Sequence, residues 1–568
     1  MKTPRILRGT ALAAAVVLTA GTAGPVFAES GSVRATVTDG TGTVAEAGTN
    51  AVTDGGKGRH PGKPGHPWKP GKPGKPGKPV KPVKDESAKL RAAVTLHNVF
   101  DHLEGLQDAA DANGGNRASG TPGYEASGKY IEDQLRRAGY KPVRQDFSYD
   151  QFAVTSEALE QTAPTATVYA AGTDFTTMTY SGAGDVTAPV SAVDINLDGD
   201  RATTSGCEAE DFTGFAAGSI ALMQRGECSF GIKAANAEAA GAAGVVIFNQ
   251  GNEAANDDRL GLVNGTLGEP STIPVVGTTF AIGEALAGTD GLELRLNIDA
   301  GVQTTNSFNI LADTPRGKAD RTVVVGAHLD SVTVGSGIND NGSGSAAVLE
   351  TAIQLAETTK KHPLQNRVRF AFWGGEEDGL VGSDYYVSQL DQAGLDGTLA
   401  NLNFDMLGSP NLVRFVYDGD GSAFPGSDAP RPTGSDEIER IFEEYFTGQK
   451  LASAPTEFSG RSDYSAFILN NIPAGGLFSG AEGIKTEEEA AVFGGTAGEA
   501  YDPCYHQECD DLGNINRRGL DQMSDAVAHA VLTFARTDAD LRGGGDVRSK
   551  RLAPAEVDLQ FRGDEALK

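Results

Sequence analysis

Histidine and carboxylate side chains follow the predicted strands in the C-terminal half of this chain. The apolar run at residues 321–327 leads into His328 and Asp330. Because alternate residues of a strand share a face, these two side chains are expected to point the same way. A histidine that binds a metal usually donates its second ring proton to an acceptor such as a carboxylate. A surface histidine beside an acid is the alternative interpretation.

Further carboxylates occupy comparable positions. Asp340 lies in a glycine-rich segment, residues 337–344, in which the backbone can turn back toward the preceding strand. The strand predicted at 367–373 is followed by Glu376 and Glu377, and acids at the end of a buried strand are costly unless a cation neutralises them. One acid could bind a metal while its neighbour acts as general base on bound water. A solvated helix N-terminus, where acids are favoured, is the alternative.

Asp405 and His506 complete the candidate metal ligands. Asp405 ends the strand predicted at 400–405, and His506 lies between Cys504 and Cys509, where a disulfide would hold it rigidly. A plain surface histidine is the alternative for His506. Nitrogen and oxygen ligands suit Zn²⁺, with Mn²⁺ or Co²⁺ as alternatives. Two histidines and three carboxylates are too many for one open catalytic site, but they suit two metal ions that share a carboxylate.

The elements that must position these residues alternate along the chain. Strands are predicted at 321–327, 367–373 and 400–405, and helices at 96–110, 124–138, 345–357 and 521–533. This alternation predicts an α/β layered fold. Residues 156–302 differ, because they hold short strand-like runs around one alanine-rich helix at 231–243. We therefore expect residues 85–155 and 303–536 to form one domain into which residues 156–302 are inserted.

Composition and charge exclude several classes of protein. The 568 residues include 48 Lys and Arg against 76 Asp and Glu, so the formal net charge is −28, and 39% are hydrophobic. This length suggests about two to four folded units, and the composition argues against a wholly disordered chain and a membrane-spanning bundle. So acidic a chain also argues against nucleic-acid binding, because phosphate contacts need basic groups.

The first residues are typical of a secretory signal peptide, residues 1–28. Basic residues precede an apolar stretch at 11–20, and Val26 and Ala28 fit the small-residue pattern of a cleavage site. No other apolar run reaches 18 residues. We therefore expect a secreted, extracellular protein without a transmembrane segment.

Two further segments are predicted to lie outside the folded domains. Residues 29–84 form a leader and a basic linker, and residues 61–84 repeat Pro-Gly-Lys with a period of three, which suits an extended polyproline II rod. The rod could be a spacer, or its lysines could tether the protein to an anionic cell wall or surface. A removable propeptide is compatible with either. Residues 537–568 are polar and are expected to be a disordered or trimmed tail.

The four cysteines allow three disulfide pairings. Disulfides persist in the oxidising compartment that the signal peptide implies. The spacing favours Cys207 with Cys228 and Cys504 with Cys509, as two local cross-links. Four buried thiols are the alternative.

Short strings around the candidate ligands resemble the co-catalytic di-zinc aminopeptidases, above all the secreted leucine-preferring enzymes of Streptomyces. The strings are GAHLDS at 326–331, GGEE at 374–377, NFDM at 403–406, CYH at 504–506, NR at 116–117 and GTPGY at 120–124. The likeness covers residues 90–150 and 305–535 in the same order and with similar spacing. It implies a three-layer α/β/α sandwich around a mixed sheet.

The resemblance assigns a role to each candidate ligand. His328 and Asp405 would bind one zinc ion, and Glu377 and His506 would bind the other. Asp340 would bridge both ions. Two zinc ions are therefore the cofactors that the resemblance implies.

The resemblance also implies the catalytic groups. Asp330 would orient His328, and Glu376 would be the general base that deprotonates a metal-bridging water and then protonates the leaving amine. Tyr505 would stabilise the tetrahedral oxyanion. The implied reaction removes N-terminal residues from peptides or proteins.

Substrate selection follows from the same resemblance. Arg461 would face the reaction centre, and Met406 and Phe478 would form the wall of an apolar side-chain pocket that suits Leu, Phe or Met. The free substrate amine would be held by acids including Glu376 and Asp405, which selects exopeptidase over endopeptidase action. A carboxypeptidase or dipeptidase on the same scaffold is the alternative enzyme, but it would need a basic patch that Arg461 alone does not supply. A receptor-like scaffold is the non-enzyme alternative, and it would lack intact metal ligands.

Two further resemblances concern the insert and the last helix. The string GSIALMQRGECSF at 218–230, with the alanine-rich helix after it, resembles a protease-associated domain, which would be mainly β and act as a lid, an interaction surface or a structural passenger. Asp521 and Asp525 match acids of a calcium site in the compact Streptomyces enzyme and lie four apart, on one helix face. A solvated acidic face is the alternative to calcium there.

Overall fold

A computed structural model describes residues 86–252, 259–360, 364–427 and 429–542. All of them belong to one compact unit, Pro82–Lys568. The signal peptide predicted at 1–28, the linker predicted at 29–84 and most of the predicted tail lie outside the described residues. Within the described ranges, no helix combines the length and the apolar character needed to cross a membrane.

The described residues form twelve α-helices and fourteen strands. The helices are α1 (Ala88–Arg91), α2 (Leu96–Asp111), α3 (Pro122–Arg137), α4 (Phe230–Ala239), α5 (Phe280–Ala287), α6 (Gly344–Thr358), α7 (Val381–Ser388), α8 (Gln392–Gly397), α9 (Ser435–Gln449), α10 (Ser465–Leu469), α11 (Glu487–Phe493) and α12 (Arg517–Arg536). The strands are β1 (Val143–Ala163), β2 (Thr167–Tyr169), β3 (Phe175–Thr177), β4 (Gly184–Ala192), β5 (Ile220–Gln224), β6 (Gly244–Phe248), β7 (Val275–Thr278), β8 (Glu293–Asp313), β9 (Lys318–His328), β10 (Asn366–Trp373), β11 (Thr398–Phe404), β12 (Phe415–Tyr417), β13 (Ala454–Thr456) and β14 (Ala474–Phe478).

A mixed sheet forms the centre of the C-terminal domain. Its strands run in the order β13-β12-β14-β11-β9-β10-β8. Strands β10, β9, β11 and β14 are parallel neighbours, whereas β8 pairs antiparallel with β10 and β12 pairs antiparallel with β14. The carboxyl ends of the four parallel strands therefore lie at one edge, where ligands bind in sheets of this kind.

Helices cover both faces of this sheet, because its central strands are apolar on both sides. Val323 and Val325 of β9 pack on one face in a core with side chains of α2, α6, α9 and α12. Val324 points to the opposite face and packs in a second core with Tyr386 of α7 and Phe467 of α10. The prediction of a three-layer α/β/α sandwich is confirmed.

The inserted domain is attached by two strands of 21 residues each. β1 and β8 pair antiparallel from Val143↔Leu311 to Ala163↔Glu293. β8 also pairs with β4, from which the parallel strands β5, β6 and β7 follow, so one continuous sheet passes through both domains. α4 and α5 cover opposite faces of β6, because alternate residues of that strand belong to two different cores.

Close packing fixes the segment that carries Asp340. An irregular helical turn, Ile338–Ser343, precedes α6. A Cβ atom on Gly344 would lie 2.2 Å from the carbonyl oxygen of Phe404, so the start of α6 presses directly against the end of β11. Glycine is required there by this close approach, which brings Asp340 to the carboxyl ends of the strands.

Arg117 holds the loop that follows β9. Its side chain is completely buried, and the guanidinium donates hydrogen bonds to the carbonyl oxygens of Leu329, Ser336 and Gly337. Buried carbonyl groups without donors are costly, so the loop depends on this one side chain.

We expect Arg117→Met to lower the free energy of unfolding of the peptidase domain by about 3 kcal/mol or more, because three buried carbonyls each lose a donor worth about 1–3 kcal/mol. Urea unfolding followed by tryptophan fluorescence measures this, since Trp373 is completely buried in the core. Arg137→Met, at an exposed position at the end of α3, is the control and should cost less than about 1 kcal/mol. Equal losses in both variants would contradict the role of Arg117.

Candidate metal centre

Three strand ends deliver side chains to one point. His328 is the last residue of β9 and pairs with Trp373, the last residue of β10. The turn after β10 carries Glu376, and Asp405 follows β11 directly. Ligand atoms of His328, Glu376 and Asp405 all lie within 4.8 Å of one another. The sequence predicts the strand ends that these three side chains follow, and the structure brings the side chains together at the carboxyl ends of those strands.

Asp340 lies between two histidines. Nε2 of His328 is 3.2 Å from Oδ1 of Asp340 and 3.2 Å from Oδ1 of Asp405. On the other side, Nε2 of His506 is 3.2 Å from Oδ2 of Asp340 and 3.1 Å from Oε2 of Glu377. Each oxygen of Asp340 therefore faces a different histidine–carboxylate pair.

The charges of this cluster fit metal ions. Burial and the carboxylate of Asp340 raise the pKa of Glu377 to about 7, and burial with neighbouring acids raises the pKa of Glu376 well above its usual range. Burial alone would lower the pKa of His506, but Asp340 and Glu377 outweigh it and raise that pKa to about 10. So many buried acids need positive charge beside them.

Two buried atoms at the centre form no hydrogen bond of good geometry. Oε1 of Glu377 has no hydrogen-bond partner within the described part of the chain, and Nε2 of His506 lies 3.1–3.2 Å from carboxylate oxygens of Glu377 and Asp340 without being aligned to donate to either. A donor set of histidine nitrogens and carboxylate oxygens suits Zn²⁺. The residues present therefore fit the predicted metal ions.

The Asp330 carboxylate, which is expected to orient His328, is not the closest partner of that imidazole. Nδ1 of His328 is 3.1 Å from the backbone oxygen of Asp330 but 3.7 Å from its Oδ1. The carboxylate accepts hydrogen bonds from the backbone N–H groups of Glu376 and Glu377, each at 3.3 Å. The carboxylate therefore holds the turn that carries both glutamates, and the Asp330 backbone carbonyl is the closer partner of the imidazole.

A disulfide loop presents His506. The structure contains the Cys504–Cys509 disulfide, as well as Cys207–Cys228 in the inserted domain. Within the loop the ring of Tyr505 stacks on the ring of His506, with centroids 3.8 Å apart. Burial and nearby carboxylates raise the pKa of Tyr505, so its hydroxyl stays protonated at neutral pH and can donate a hydrogen bond.

Asp510 and Asp463 are functional candidates that sequence reasoning missed. The carboxylate of Asp510 accepts hydrogen bonds from the backbone N–H groups of Asn339 and Asp340, at 2.8 and 3.0 Å. These two hydrogen bonds connect the end of the disulfide loop to the Asp340 segment. Asp463 is completely buried, and burial raises its pKa to about 8. Asp510 adjoins Cys509 and Asp463 follows Arg461 by two residues, but only the folded chain reveals what their carboxylates contact.

A cavity of about 280 Å³ opens above the cluster. Its floor is formed by Asp340, Glu376, Glu377 and Asp405, and its walls include Met406, Phe415, Tyr417, Phe478, Arg461 and Tyr505. The guanidinium of Arg461 donates a hydrogen bond of 2.7 Å to Glu482 at the rim. Every residue predicted to bind substrate therefore lines the same cavity as the candidate carboxylate ligands.

The two acids predicted to bind calcium lie on α12. Oδ2 of Asp525 is 3.8 Å from Nη1 of Arg91. Burial raises the pKa of Asp525 to about 6, with Arg91 opposing the shift. In the described ranges no third acid joins Asp521 and Asp525 in a compact group of ligands.

Comparison with known proteins agrees with this geometry. Residues 309–531 match the model of peptidase family M28, and residues 186–286 match the PA domain. The aminopeptidase of Pseudomonas aeruginosa (strain UCBPP-PA14) is 51% identical over 434 residues, which span 76% of this chain and 79% of that protein. The probable leucine aminopeptidase 2 of Aspergillus fumigatus is 40% identical over 449 residues, 78% of this chain and 84% of that protein.

A solved structure shares the fold. The zinc aminopeptidase BSAP of Bacillus subtilis aligns with a TM-score of 0.56 and 26% identity, over 78% of this chain and 96% of that one. The family match covers all five candidate ligands, and the relatives extend over both domains. The chain therefore belongs to peptidase family M28 and is a metallo-aminopeptidase with an inserted PA domain.

Proposed function

We propose that this metallo-aminopeptidase is a secreted zinc enzyme that removes large apolar residues from the N-termini of peptides. The observation that carries the proposal is the position of Asp340 between His328 and His506 at the floor of a cavity with apolar walls. Family membership supports the aminopeptidase reaction, and the solved zinc aminopeptidase supports the metal.

Five residues would hold two zinc ions. His328 and Asp405 would bind one ion, Glu377 and His506 would bind the other, and Asp340 would contribute one oxygen to each. When bound, the zinc ions would lower the pKa of a coordinated water toward neutral pH and polarise the scissile carbonyl.

Glu376 is the proposed general base. Its Oε2 lies 3.9 Å from Nε2 of His328, at the floor of the cavity and close to the candidate ligands. It would accept a proton from the attacking water and then pass it to the amine nitrogen as the peptide C–N bond breaks. Asp330 holds Glu376 in place through the backbone of the turn.

Tyr505 and the cavity walls would complete the reaction site. The Tyr505 hydroxyl would donate a hydrogen bond to the oxyanion of the tetrahedral intermediate. Met406 and Phe478 would contact the substrate side chain, and their apolar surface favours Leu, Phe or Met. The carboxylates of Glu376 and Asp405 would hold the free amine, and Arg461 would face the reaction centre from the rim.

Secretion and the domain boundaries belong to the same proposal. Both disulfides suit an oxidising compartment. We infer a signal peptide at 1–28, a leader and linker at 29–84, a peptidase domain at 85–155 and 303–536, a PA domain at 156–302 and a polar tail at 537–568. Surface association would involve the basic linker. Calcium at Asp521 and Asp525 stays a prediction.

The PA domain would act on access to the active site. Tyr149 and Gln151 of β1 donate hydrogen bonds to the carboxylate of Asp378, the residue after Glu377. The strands that carry the PA domain therefore contact the turn that carries the proposed general base. A lid or an interaction surface is the role that we propose for the PA domain.

The reaction is tested by hydrolysis of leucine anilide beside its N-acetylated form. We expect cleavage of the free-amine substrate alone, because the floor carboxylates need a charged amine. A chelator should abolish cleavage and added zinc should restore it. If the zinc-loaded enzyme cleaves neither, weight moves to the carboxypeptidase or dipeptidase alternative or to a lid that must first be removed.

Glu376→Gln should lower kcat by about 10²–10⁴ or more while zinc stays bound, because the variant keeps its shape but cannot accept the proton. Steady-state kinetics and metal analysis of the same sample measure both effects. Glu487→Gln, at an exposed position at the start of α11, is the matched control and should leave kcat unchanged. Near-normal turnover in Glu376→Gln would remove Glu376 as the base.

His506→Ala should lower the bound zinc from two ions per chain to about one, because one proposed site loses its imidazole while His328 and Asp405 keep the other. Atomic emission of the dialysed protein gives the ratio. His97→Ala is the control, since the His97 side chain is 84% exposed on α2. Two zinc ions retained by His506→Ala would refute its role as a ligand.

A further inference from the structure

A second group of carboxylates lies beside the wall of the substrate cavity. Asp418 and Asp420 belong to the loop that leaves β12, in the sequence Asp-Gly-Asp-Gly-Ser at 418–422, and Glu439 lies on α9. One carboxylate oxygen of each residue lies within 4.8 Å of the other two. Residues far apart in the chain thus meet at one point.

Backbone amides hold each of these carboxylates by one oxygen. Phe424 N–H donates to Oδ2 of Asp418 at 2.9 Å, Ser422 N–H donates to Oδ1 of Asp420 at 2.8 Å, and Asp420 N–H donates to Oε2 of Glu439 at 3.0 Å. The loop therefore fixes all three side chains in place before any ligand binds.

Asp418 has an oxygen whose hydrogen-bonding capacity is unused. The residue is 0% exposed, and its Oδ1 has no hydrogen-bond partner in the described part of the chain. A buried carboxylate oxygen without a partner carries its full desolvation cost. Since Asp418 belongs to the group within 4.8 Å, a cation bound by the group could compensate this cost.

No side-chain cation of the described residues forms an ion pair with these acids. The nearby guanidinium of Arg431 donates instead to the backbone oxygens of Phe424, at 2.7 Å, and Ser427, at 3.4 Å. Glu439 is buried like Asp418, whereas Asp420 is exposed. An ion could therefore enter from the solvent side and keep water ligands there.

We propose that Asp418, Asp420 and Glu439 bind a calcium ion. The donors are all oxygens, which hard cations prefer, and they lack the nitrogen and sulfur ligands that favour zinc. Aspartates at positions i and i+2 followed by glycine also occur in calcium-binding loops. This site is separate from Asp521 and Asp525 on α12, and it does not depend on the proposed peptidase mechanism.

The ion would brace the wall of the substrate cavity. Asp418 follows Tyr417, which lines the cavity and whose ring stacks on Phe458 with centroids 5.3 Å apart. Glu439 lies on α9, whose Ile438 shares a core with Leu477 of β14. One ion would therefore join the loop after β12 to the helix that covers β14.

The test is calcium titration of the zinc-loaded full chain after removal of free metal, by isothermal calorimetry and by the midpoint of thermal unfolding. We expect one calcium ion to bind at the Asp418 group and to raise the midpoint. Asp418→Asn and Glu439→Gln should each weaken the affinity at least tenfold. Asp420→Asn, at an exposed position, should do the same.

Asp521→Asn is the matched control, because it removes the same charge from the other acidic pair, and it should leave calcium binding at the Asp418 group unchanged. The proposal is overturned if calcium neither releases heat nor shifts the midpoint. It is also overturned if Asp420→Asn and Glu439→Gln bind as many calcium ions as the parent with the same affinity, or if Asp521→Asn alone abolishes all calcium binding. If the parent chain binds calcium as expected but has no aminopeptidase activity, that result would count against the proposed function and not against the calcium site.

Discussion

The repulsion among buried carboxylates around Asp340 is the constraint on which the peptidase domain depends. Asp340, Glu376, Glu377 and Asp405 share the floor of one cavity. Two histidines face Asp340, but burial still raises the pKa of Glu376 and Glu377. Metal cations beside such a group would keep the carboxylates ionised, so metal binding and the stability of the fold are coupled. The elements that bring these acids together therefore also favour metal binding.

Buried charged side chains position this cluster through hydrogen bonds to the backbone of the loops that carry it. Arg117 donates hydrogen bonds to carbonyl groups of the loop after β9. Asp330 accepts hydrogen bonds from backbone amides of the turn after β10, and Asp510 accepts them from backbone amides of the Asp340 segment. Each charged side chain thus fixes a loop, and the loop fixes a ligand. Side chains so restrained lose little further freedom when a metal or substrate binds, which is the physical basis of preorganisation.

The positions of the candidate ligands could be predicted from the sequence because strand ends can be recognised in it. The apolar run before His328 and the strand before Asp405 predict that each of these side chains lies at the carboxyl end of a strand. The supporting contacts could not be predicted, because Arg117 and Asp510 act on loops distant in the chain. Helix ends were less accurate: α12 begins at Arg517 rather than near 521, because the Asn516 side chain caps it by accepting the Gly519 N–H. Local patterns predict elements, whereas partners across the sheet require the folded chain.

Donor chemistry can separate two kinds of cation in one molecule. The cluster around Asp340 includes the imidazoles of His328 and His506, which favour zinc, whereas the group at Asp418 and Glu439 offers only oxygens. β12 lines the cavity above the first cluster and leads directly into the second. A hard cation held by backbone-restrained carboxylates would therefore stiffen the wall that contacts the substrate without competing for the catalytic ligands. Selectivity between the two ions would then rest on ligand type and not on affinity alone.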